Sequence, residues 1–298
     1  MDKTYNKILN LAIDKRATIP LIKGAFFKEG YVCTTDLNVF VRVKNEGAKP
    51  DEDAPEIPKL GKLDYRPLQD IDKIIAALDA VSTDQTRPVL CGVDVRNHRI
   101  AATDGYAMYL APTSIDVEMW IPSKVVKMLK VGKKLSWEFS ANDDSICFRT
   151  GDLEILTENT HPQFPVVEQL INKKPFAHRF TFDVEELKEA IKLHSADHFA
   201  IMESGEVKLL HWNGWRQPEI ERVATIKTEL SHGEQKEPTT HRIVMPMSRE
   251  AKGEYYTYAW AVVRRLLPKK GKVSMVWGDL PLNTGNRNLT EIRIEGEE

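Results

Sequence analysis

Histidine and acidic side chains come closest to forming a metal or catalytic site between residues 194 and 211. His194 and His198 are one helical turn apart, Asp197 lies between them, and His211 follows. Imidazole nitrogens are common zinc ligands, but Ser195 follows His194, so the glutamate base of an H-E-x-x-H metalloprotease is absent. We interpret these residues as surface histidines at the end of a helix, with a metal site as the alternative.

Other signatures of enzymatic chemistry are missing from the sequence. There is no glycine loop of the kind that cradles phosphate, no C-x-x-C pair and no G-x-S-x-G nucleophile turn. The segment from His211 to Trp215 could stack on nucleic-acid bases, although a strand end with buried indoles is the commoner outcome. We therefore predict a protein that is not an enzyme, with no catalytic residue, no bound metal and no cofactor.

Basic residues are concentrated in two segments of a chain whose formal net charge is only -2. Residues 123–134 contain five lysines and no acid. Residues 264–272 contain three lysines and two arginines, again without an acid. Such segregation suits a protein that binds a polyanion on one face only.

The first basic segment also has the period of an amphipathic helix. At about 100° per residue, Lys124, Lys127 and Lys130 lie on one arc and the apolar side chains lie on the opposite arc. A solvated lysine face is the ordinary explanation of this pattern. Because Arg264 and Arg265 recur at the end of another predicted helix, the sequence also supports a shared surface that faces a polyanion.

Length and composition are those of a globular protein of two or three domains, with 298 residues, 42% of them hydrophobic and 29% charged. No apolar run is long enough to span a membrane, and the first residues lack an apolar signal segment. We therefore expect a cytoplasmic protein without a membrane partner. Cys33, Cys91 and Cys147 lie far apart in strand-like segments, which predicts buried thiols in a reducing compartment.

A unit of one helix followed by antiparallel strands recurs five times along the chain. The helical period occurs around residues 5–12, 71–78, 125–129, 184–191 and 259–266, and alternating apolar and polar residues follow each segment. Asp183 with Glu186 forms a capping-box signature, and Ser123 is a second candidate N-cap. Residues 46–67 form a proline-rich acidic linker. The predicted fold class is α+β.

One segment carries a resemblance to a known family. Ala101-Ala102-Thr103-Asp104-Gly105-Tyr106-Ala107-Met108 resembles the A-T-D-G-H-R-L stretch in the middle domain of bacterial sliding clamps, the beta subunit of DNA polymerase III. Further segments resemble that domain in the same order: Thr86–Gly92, Trp120–Lys124, Phe148–Asp152 and His161–Pro165. Ile19–Gly24 and Thr35–Val39 resemble the first clamp domain, and residues 176–294 resemble the third domain more weakly, chiefly through Phe182–Leu187 and the helix at 255–267.

This resemblance implies the DNA-clamp fold, in which each domain holds two helix-and-sheet units and two protomers close a ring lined by helices. Five units correspond to about two and a half clamp domains, which we place at residues 1–62, 63–174 and 175–298. The unit that should follow residue 45 is replaced by the linker, so a ring has to close without it. The function implied is that of a DNA polymerase processivity factor, which acts as a homodimer.

The first surface that the resemblance implies holds double-stranded DNA without regard to sequence. Arg16 matches the position of a DNA-contacting arginine in the clamp. To this residue the periodicity adds Lys124, Lys127 and Lys130, and the second basic segment adds Arg264 and Arg265. A protein that slides needs phosphate contacts of this kind and no readout of the bases.

The second implied surface is an apolar pocket for short peptides of the polymerase and of the clamp loader. Carried over position by position, its wall is Arg87, Leu90, Thr103, Gly105, Tyr106, Ala107, Met108, Pro162 and Val167. The family's His-Arg pair is replaced by Tyr106-Ala107, and the family's C-terminal Met-Pro-Met-Arg-Leu is absent from the end of this chain. Val244-Met245-Pro246-Met247 resembles that motif but precedes the fifth helix, and we interpret the match as a coincidence.

An alternative function belongs to another class of protein. A clamp-fold adaptor or decoy would bind clamp-binding peptides without encircling DNA. It would be a monomer with a working pocket, and it would not be retained on DNA.

Overall fold

The chain is described by a computed structural model that covers residues 2–47, 49–54, 56–58, 63–160, 162–167, 178–193, 195–202, 207–211, 219–224, 229–231, 240–244, 248–249, 255–277 and 290–294. The chain forms two compact units. The first unit is Met1–Ala102 with Thr113–Phe164, and the second is Thr103–Pro112 with Pro165–Glu298. The domain borders after residues 62 and 174 stay predictions.

Each segment with a helical period forms an α-helix. The helices are α1 (Lys3–Ala12), α2 (Ile71–Ala77), α3 (Ser123–Val131), α4 (Val184–Leu193) and α5 (Trp260–Leu266). Asp183 caps α4 as predicted, because its Oδ1 accepts hydrogen bonds from the backbone N–H groups of Glu185 (2.7 Å) and Glu186 (3.2 Å). The prediction for Ser123 is wrong, since Ser123 is the first residue of α3 and Pro122 holds the N-cap position.

The strands confirm the alternation that follows each helix. In chain order they are β1 (Phe26–Lys28), β2 (Tyr31–Thr35), β3 (Val39–Lys44), β4 (Arg66–Pro67), β5 (Gly92–Arg96), β6 (Arg99–Thr103), β7 (Ala107–Pro112), β8 (Met119–Pro122), β9 (Glu138–Ala141), β10 (Ser145–Thr150), β11 (Leu153–Glu158), β12 (His178–Asp183), β13 (His198–Met202), β14 (Val207–His211), β15 (Glu219–Ala224), β16 (Glu229–Ser231), β17 (His241–Val244), β18 (Ser248–Arg249), β19 (Tyr255–Ala259), β20 (Lys272–Trp277) and β21 (Thr290–Ile294). All of the described pairings are antiparallel, so the predicted α+β class is confirmed.

The first unit contains a seven-stranded sheet in the order β1-β2-β3-β11-β10-β9-β4. Its central pairing joins strands that are far apart in the chain, with Val41 opposite Ile155 and Val39 opposite Thr157. In the same unit β5 pairs with β6 on one side and with β8 on the other. The helix α1 packs on β2 and β3, and both α1 and α2 pack against α3.

The described residues of the segment 46–67 include several that pack against the seven-stranded sheet instead of spanning open solvent. Ile57 from this segment is buried in an apolar cluster on one sheet face, and Ala54, Leu63 and Tyr65 pack against it. The other buried members of the cluster are Phe26, Cys33, Phe40, Cys147 and Leu156. The segment predicted as a linker therefore supplies part of a core.

The three cysteines are free and buried, as predicted. Burial raises the pKa of Cys33 to about 12 and that of Cys147 to about 11, because a thiolate is costly in an apolar environment. The Tyr65 hydroxyl lies 3.2 Å from the Cys147 sulfur, and the Arg149 guanidinium lies 3.6 Å from the centre of the Tyr65 ring. These thiols serve as small core side chains.

The second unit contains six strands in the order β16-β12-β20-β21-β17-β7 and a five-stranded sheet in the order β15-β14-β13-β19-β18. The helix α5 packs on β7, β17 and β19, and α4 contacts β12. Phe180, Phe199 and Tyr258 are fully buried, and the rings of Phe199 and Tyr258 are stacked with centroids 5.4 Å apart. Among the described residues, no helix is long and apolar enough to cross a membrane.

Candidate functional site

Two turns with the same construction contain or bind several of the predicted site residues. In the first turn, the Thr35 hydroxyl donates to the carbonyl oxygen of Val39 (2.9 Å) and accepts from the backbone N–H of Leu37 (3.0 Å). Asp36 Oδ1 accepts from the N–H groups of Asn38 (3.1 Å) and Val39 (2.8 Å). A threonine and an aspartate thus satisfy the backbone groups that a tight turn leaves unpaired.

The second turn repeats every one of these bonds. The Thr103 hydroxyl donates to the Ala107 carbonyl (2.8 Å) and accepts from the Gly105 N–H (3.1 Å). Asp104 Oδ1 accepts from the N–H groups of Tyr106 (2.8 Å) and Ala107 (2.7 Å). The Thr-Asp sequences at 35–36 and 103–104 therefore form turns with the same hydrogen bonds.

In each turn the second carboxylate oxygen binds a cation from a helix. Asp36 Oδ2 pairs with the Lys124 ammonium of α3, and Asp104 Oδ2 pairs with the Arg265 guanidinium of α5. The Asp36 and Asp104 side chains are each only 12% exposed, so these pairs are partly withdrawn from solvent. Lys124 and Arg265 thus hold the turns, and each directs at least one of its donors to a carboxylate of the chain.

The other predicted DNA-facing residues remain exposed. These are Arg16, Lys127, Lys130 and Arg264. Lys127 and Lys130 lie on the solvent face of α3, because Val125, Val126, Met128 and Leu129 on its other face are fully buried. The periodicity therefore gave the correct faces of this helix.

The first unit contains Arg87, Leu90 and Pro162 of the predicted peptide-pocket wall. Leu90 is buried, and the Arg87 guanidinium, about half exposed, binds Asp84 at 3.1 Å. The Trp120 indole N–H donates to the carbonyl oxygen of Val89 at 3.1 Å. Trp120 therefore supports the turn that carries Arg87 and Leu90.

A buried carboxylate holds the segment at Pro162. Asp94 is fully buried, and its Oδ1 accepts from Arg96 Nε at 2.8 Å. Arg96 Nη2 also donates to the Pro162 carbonyl at 3.1 Å. Burial raises the pKa of Asp94, and the guanidinium groups of Arg96 and Arg99 oppose that rise. Sequence reasoning missed this cluster, although an aspartate inside the apolar run at 93–95 was a signal for it.

The second unit contains the remaining wall residues, and most of them are core side chains. Thr103, Ala107, Met108 and Val167 are buried. Tyr106, in contrast, is 51% exposed. Gly105 has a positive φ of 91°. Tyr106 is therefore the wall residue of this unit whose side chain can meet a ligand.

Strand β17 changes the interpretation of Val244-Met245-Pro246-Met247. Its pairing with β7 places Val244 opposite Ala107 and Ile243 opposite Met108. Val244, the first residue of the motif, therefore lies beside the predicted wall, and a position before α5 in the chain is no argument for a coincidence. Met245–Met247 lie outside the described residues.

Only some residues of the alternative metal site predicted between 194 and 211 lie among the described residues. His198 Nδ1 lies 2.8 Å from the Asp197 carboxylate, and His194 lies outside the described residues. In the part of the chain that the structure describes, no three His, Cys, Asp or Glu side chains are grouped so as to hold a metal ion.

Comparison with known proteins gives a consistent result for the fold. The chain is similar to the DNA polymerase III beta subunit of Thermotoga maritima, with a TM-score of 0.68 and 14% identity over 98% of this chain and 96% of the other. The beta chain from Streptococcus pneumoniae gives 0.67 with 14% identity over the same shares. The fold is that of a bacterial sliding clamp.

A third sliding clamp was solved with a bound ligand. The clamp from Bartonella birtlesii, bound to griselimycin, gives a TM-score of 0.63 and 14% identity over 98% of this chain and 95% of that clamp. No protein-family model matches the sequence, and no curated protein matches it. The likeness to the sliding clamps therefore lies in the fold.

Proposed function

We propose that this chain is a DNA polymerase processivity factor of the sliding-clamp kind, not an enzyme. It holds duplex DNA without sequence preference, tethers a polymerase through a peptide pocket, and acts in the cytoplasm as a homodimer. The observation that carries the proposal is the sliding-clamp fold across 98% of the chain. Charge and surface chemistry support it at two places.

The proposed DNA contacts are the exposed cations. Lys127 and Lys130 stand one turn apart on α3, whose opposite face is fully buried, so both ammonium groups point to solvent from a rigid helix. Arg16 and Arg264 complete the set. Such contacts are weak and independent of base sequence, which is what a sliding protein requires.

The proposed peptide contacts surround the second turn. Tyr106 offers an exposed aromatic ring, and β17 brings Val244 beside Ala107. We infer that Tyr106 forms the exposed apolar edge of the pocket. An aromatic side chain suits this role because it offers a large apolar surface and a polar hydroxyl to a short peptide.

Retention on circular DNA tests the first part of the proposal. The chain is incubated with a linear plasmid, and the plasmid is then closed by ligation so that any ring threaded on it is trapped. The complex is separated from free protein by gel filtration, and the circle is then cut once. A ring stays on the circle in high salt and leaves after the cut. The double variant Lys127→Gln, Lys130→Gln should lower the slope of log K against log salt for duplex binding by about 2.

Binding of griselimycin tests the second part by calorimetry. Tyr106→Ala should weaken binding about tenfold or more, whereas Leu193→Ala, which removes an apolar side chain that is 78% exposed on α4, should leave binding unchanged. Equal binding by the native chain and by Tyr106→Ala would refute the pocket.

The two assays separate the processivity factor from the adaptor. A chain of 34.0 kDa that stays monomeric, binds griselimycin and is never retained on circles is an adaptor or decoy. A chain that is retained on circles until they are cut is a processivity factor, whatever the result for griselimycin.

A further inference from the structure

The edge strand β1 has its outward hydrogen-bonding groups occupied by one residue of the same chain. The Phe27 N–H donates to the Asp51 side chain (Oδ2, 2.8 Å), and the Phe27 carbonyl oxygen accepts from the Asp51 N–H (2.9 Å). Both bonds point away from β2, which pairs with the other side of β1. Asp51 therefore imitates the pair of bonds that a neighbouring antiparallel strand would make.

Two anchors hold Asp51 at this edge. Ile57 is buried in the cluster with Phe26 on the sheet face, only 7% exposed. The Lys28 ammonium donates to the Ala54 carbonyl at 3.0 Å. We call the described residues 49–54 and 56–58 the strap, because they run along the edge of β1 between these contacts.

An uncovered sheet edge is a template for pairing with another strand, and proteins cover such edges with loops, charges or bulges. The strap combines two of these means. It satisfies the outward backbone groups of β1, and it carries the exposed acids Asp51, Glu52, Asp53 and Glu56 along that edge. A second copy of the chain would bring the same negative charges, and the two straps would repel each other.

We propose that the strap is a displaceable guard of the β1 edge, and that the strand it excludes is β1 of a second copy. Antiparallel pairing of two β1 strands about Phe27 is self-complementary, since each Phe27 would give one N–H and one carbonyl to the other. Displacing Asp51 frees the two groups that such a pair requires. The guard operates whether or not the chain encircles DNA.

Replacing Asp51 by proline tests the guard, because proline has neither the carboxylate nor the N–H that bind Phe27. Asp51→Asn is the matched control, since its amide oxygen still accepts from Phe27 and its N–H still donates. Ile57→Ser provides a second route, as it removes the buried anchor and leaves Asp51 intact. The readouts are solution mass by light scattering and hydrogen exchange at the Phe27 N–H, each measured between about 1 and 100 μM.

For Asp51→Pro and Ile57→Ser we expect exchange at Phe27 at least tenfold faster than in the native chain at low concentration. Protection should return as concentration rises, together with a doubling of mass relative to the native chain. Asp51→Asn should match the native chain in both readouts. Exchange and mass that do not depend on concentration in either strap variant would overturn the proposal, as would association of Asp51→Asn. DNA retention is measured separately and does not enter this result.

Discussion

Leu37 holds the same left-handed backbone conformation that Gly105 holds at the equivalent position of the second turn. Their φ angles are 79° and 91°. Glycine takes this conformation freely, whereas a side chain with a Cβ meets the backbone. The bonds of Thr35 and Asp36 therefore hold Leu37 in a conformation that leucine alone would avoid.

Replacing Leu37 by glycine should stabilise the chain by about 1 kcal/mol, since the strain is removed and little burial is lost. The Leu37 side chain is 68% exposed, so it contributes little to the core. Gly105→Ala should have the opposite sign, with a loss of about 1 kcal/mol. Urea unfolding of both variants is the measurement, and a loss of stability in Leu37→Gly would contradict the argument.

The variant Asp36→Ala should lower the free energy of unfolding by about 2 to 4 kcal/mol. It removes the carboxylate that binds the N–H groups of Asn38 and Val39 and the ammonium of Lys124. Asp36→Asn keeps an oxygen for the two backbone groups and loses only the ionic pair, so about 1 kcal/mol should be lost. Denaturant melts at low and high salt distinguish the two variants. If both variants lose the same free energy of unfolding, the ion pair with Lys124 and not the bonds within the turn accounts for the stabilisation.

Gly92 lies too close to Trp120 to accept a side chain. A Cβ at this position would be 2.5 Å from Trp120 Cε2 and 2.7 Å from the Ile121 carbonyl oxygen. Gly92→Ala should therefore cost about 1 to 3 kcal/mol and displace the indole that supports the turn at Val89. The matched control is Gly24→Ala, where nothing lies within 4 Å of the new Cβ and the backbone is extended. It should change the free energy of unfolding by less than about 0.5 kcal/mol.

Asp70 should make the free energy of unfolding depend on pH in the acid range. Burial opposes its ionisation, but bonds from the Thr113 hydroxyl (2.7 Å), the Ser114 N–H (3.0 Å) and the Lys73 ammonium (3.0 Å) outweigh burial and lower its pKa to about 2. The pKa of the folded state is below the unfolded value of 3.8, so the stabilisation is complete above about pH 4 and is lost as pH falls toward 2.

The variant Asp70→Asn isolates this contribution. At pH 7 it should be about 1 to 2 kcal/mol less stable than the native chain. The difference should shrink between pH 4 and pH 2, as the native carboxyl becomes protonated. Thermal melts across that range measure it, and a difference that stays constant would show that Asp70 acts only through neutral hydrogen bonds.

The helices could be predicted from the sequence because their determinants are local. The period of α3 identified four side chains that are fully buried and two lysines that are exposed. The role of Lys124 could not be predicted in this way. Its partner Asp36 lies 88 residues earlier, and only the folded chain brings the two together.

The order of the strands in the sheets could not be predicted from local sequence patterns either. No local pattern in the segment 241–244 indicates that β17 pairs with β7 and β21. The same limit applies to the strap, whose prolines and acids indicate a linker. Its attachment depends on Phe27 and on the cluster around Ile57, which are tertiary contacts.

The pairing of β3 with β11 has a consequence for how the chain folds while it is synthesised on the ribosome. Arg42 and its partner Glu154 are 112 residues apart, so β3 emerges long before the strand that completes its sheet. Such distant contacts close slowly, and the unfinished edge stays exposed during synthesis. The first unit therefore matures only after more than half of the chain has been translated, and the edge of β3 that later pairs with β11 is open to non-native pairing during that interval.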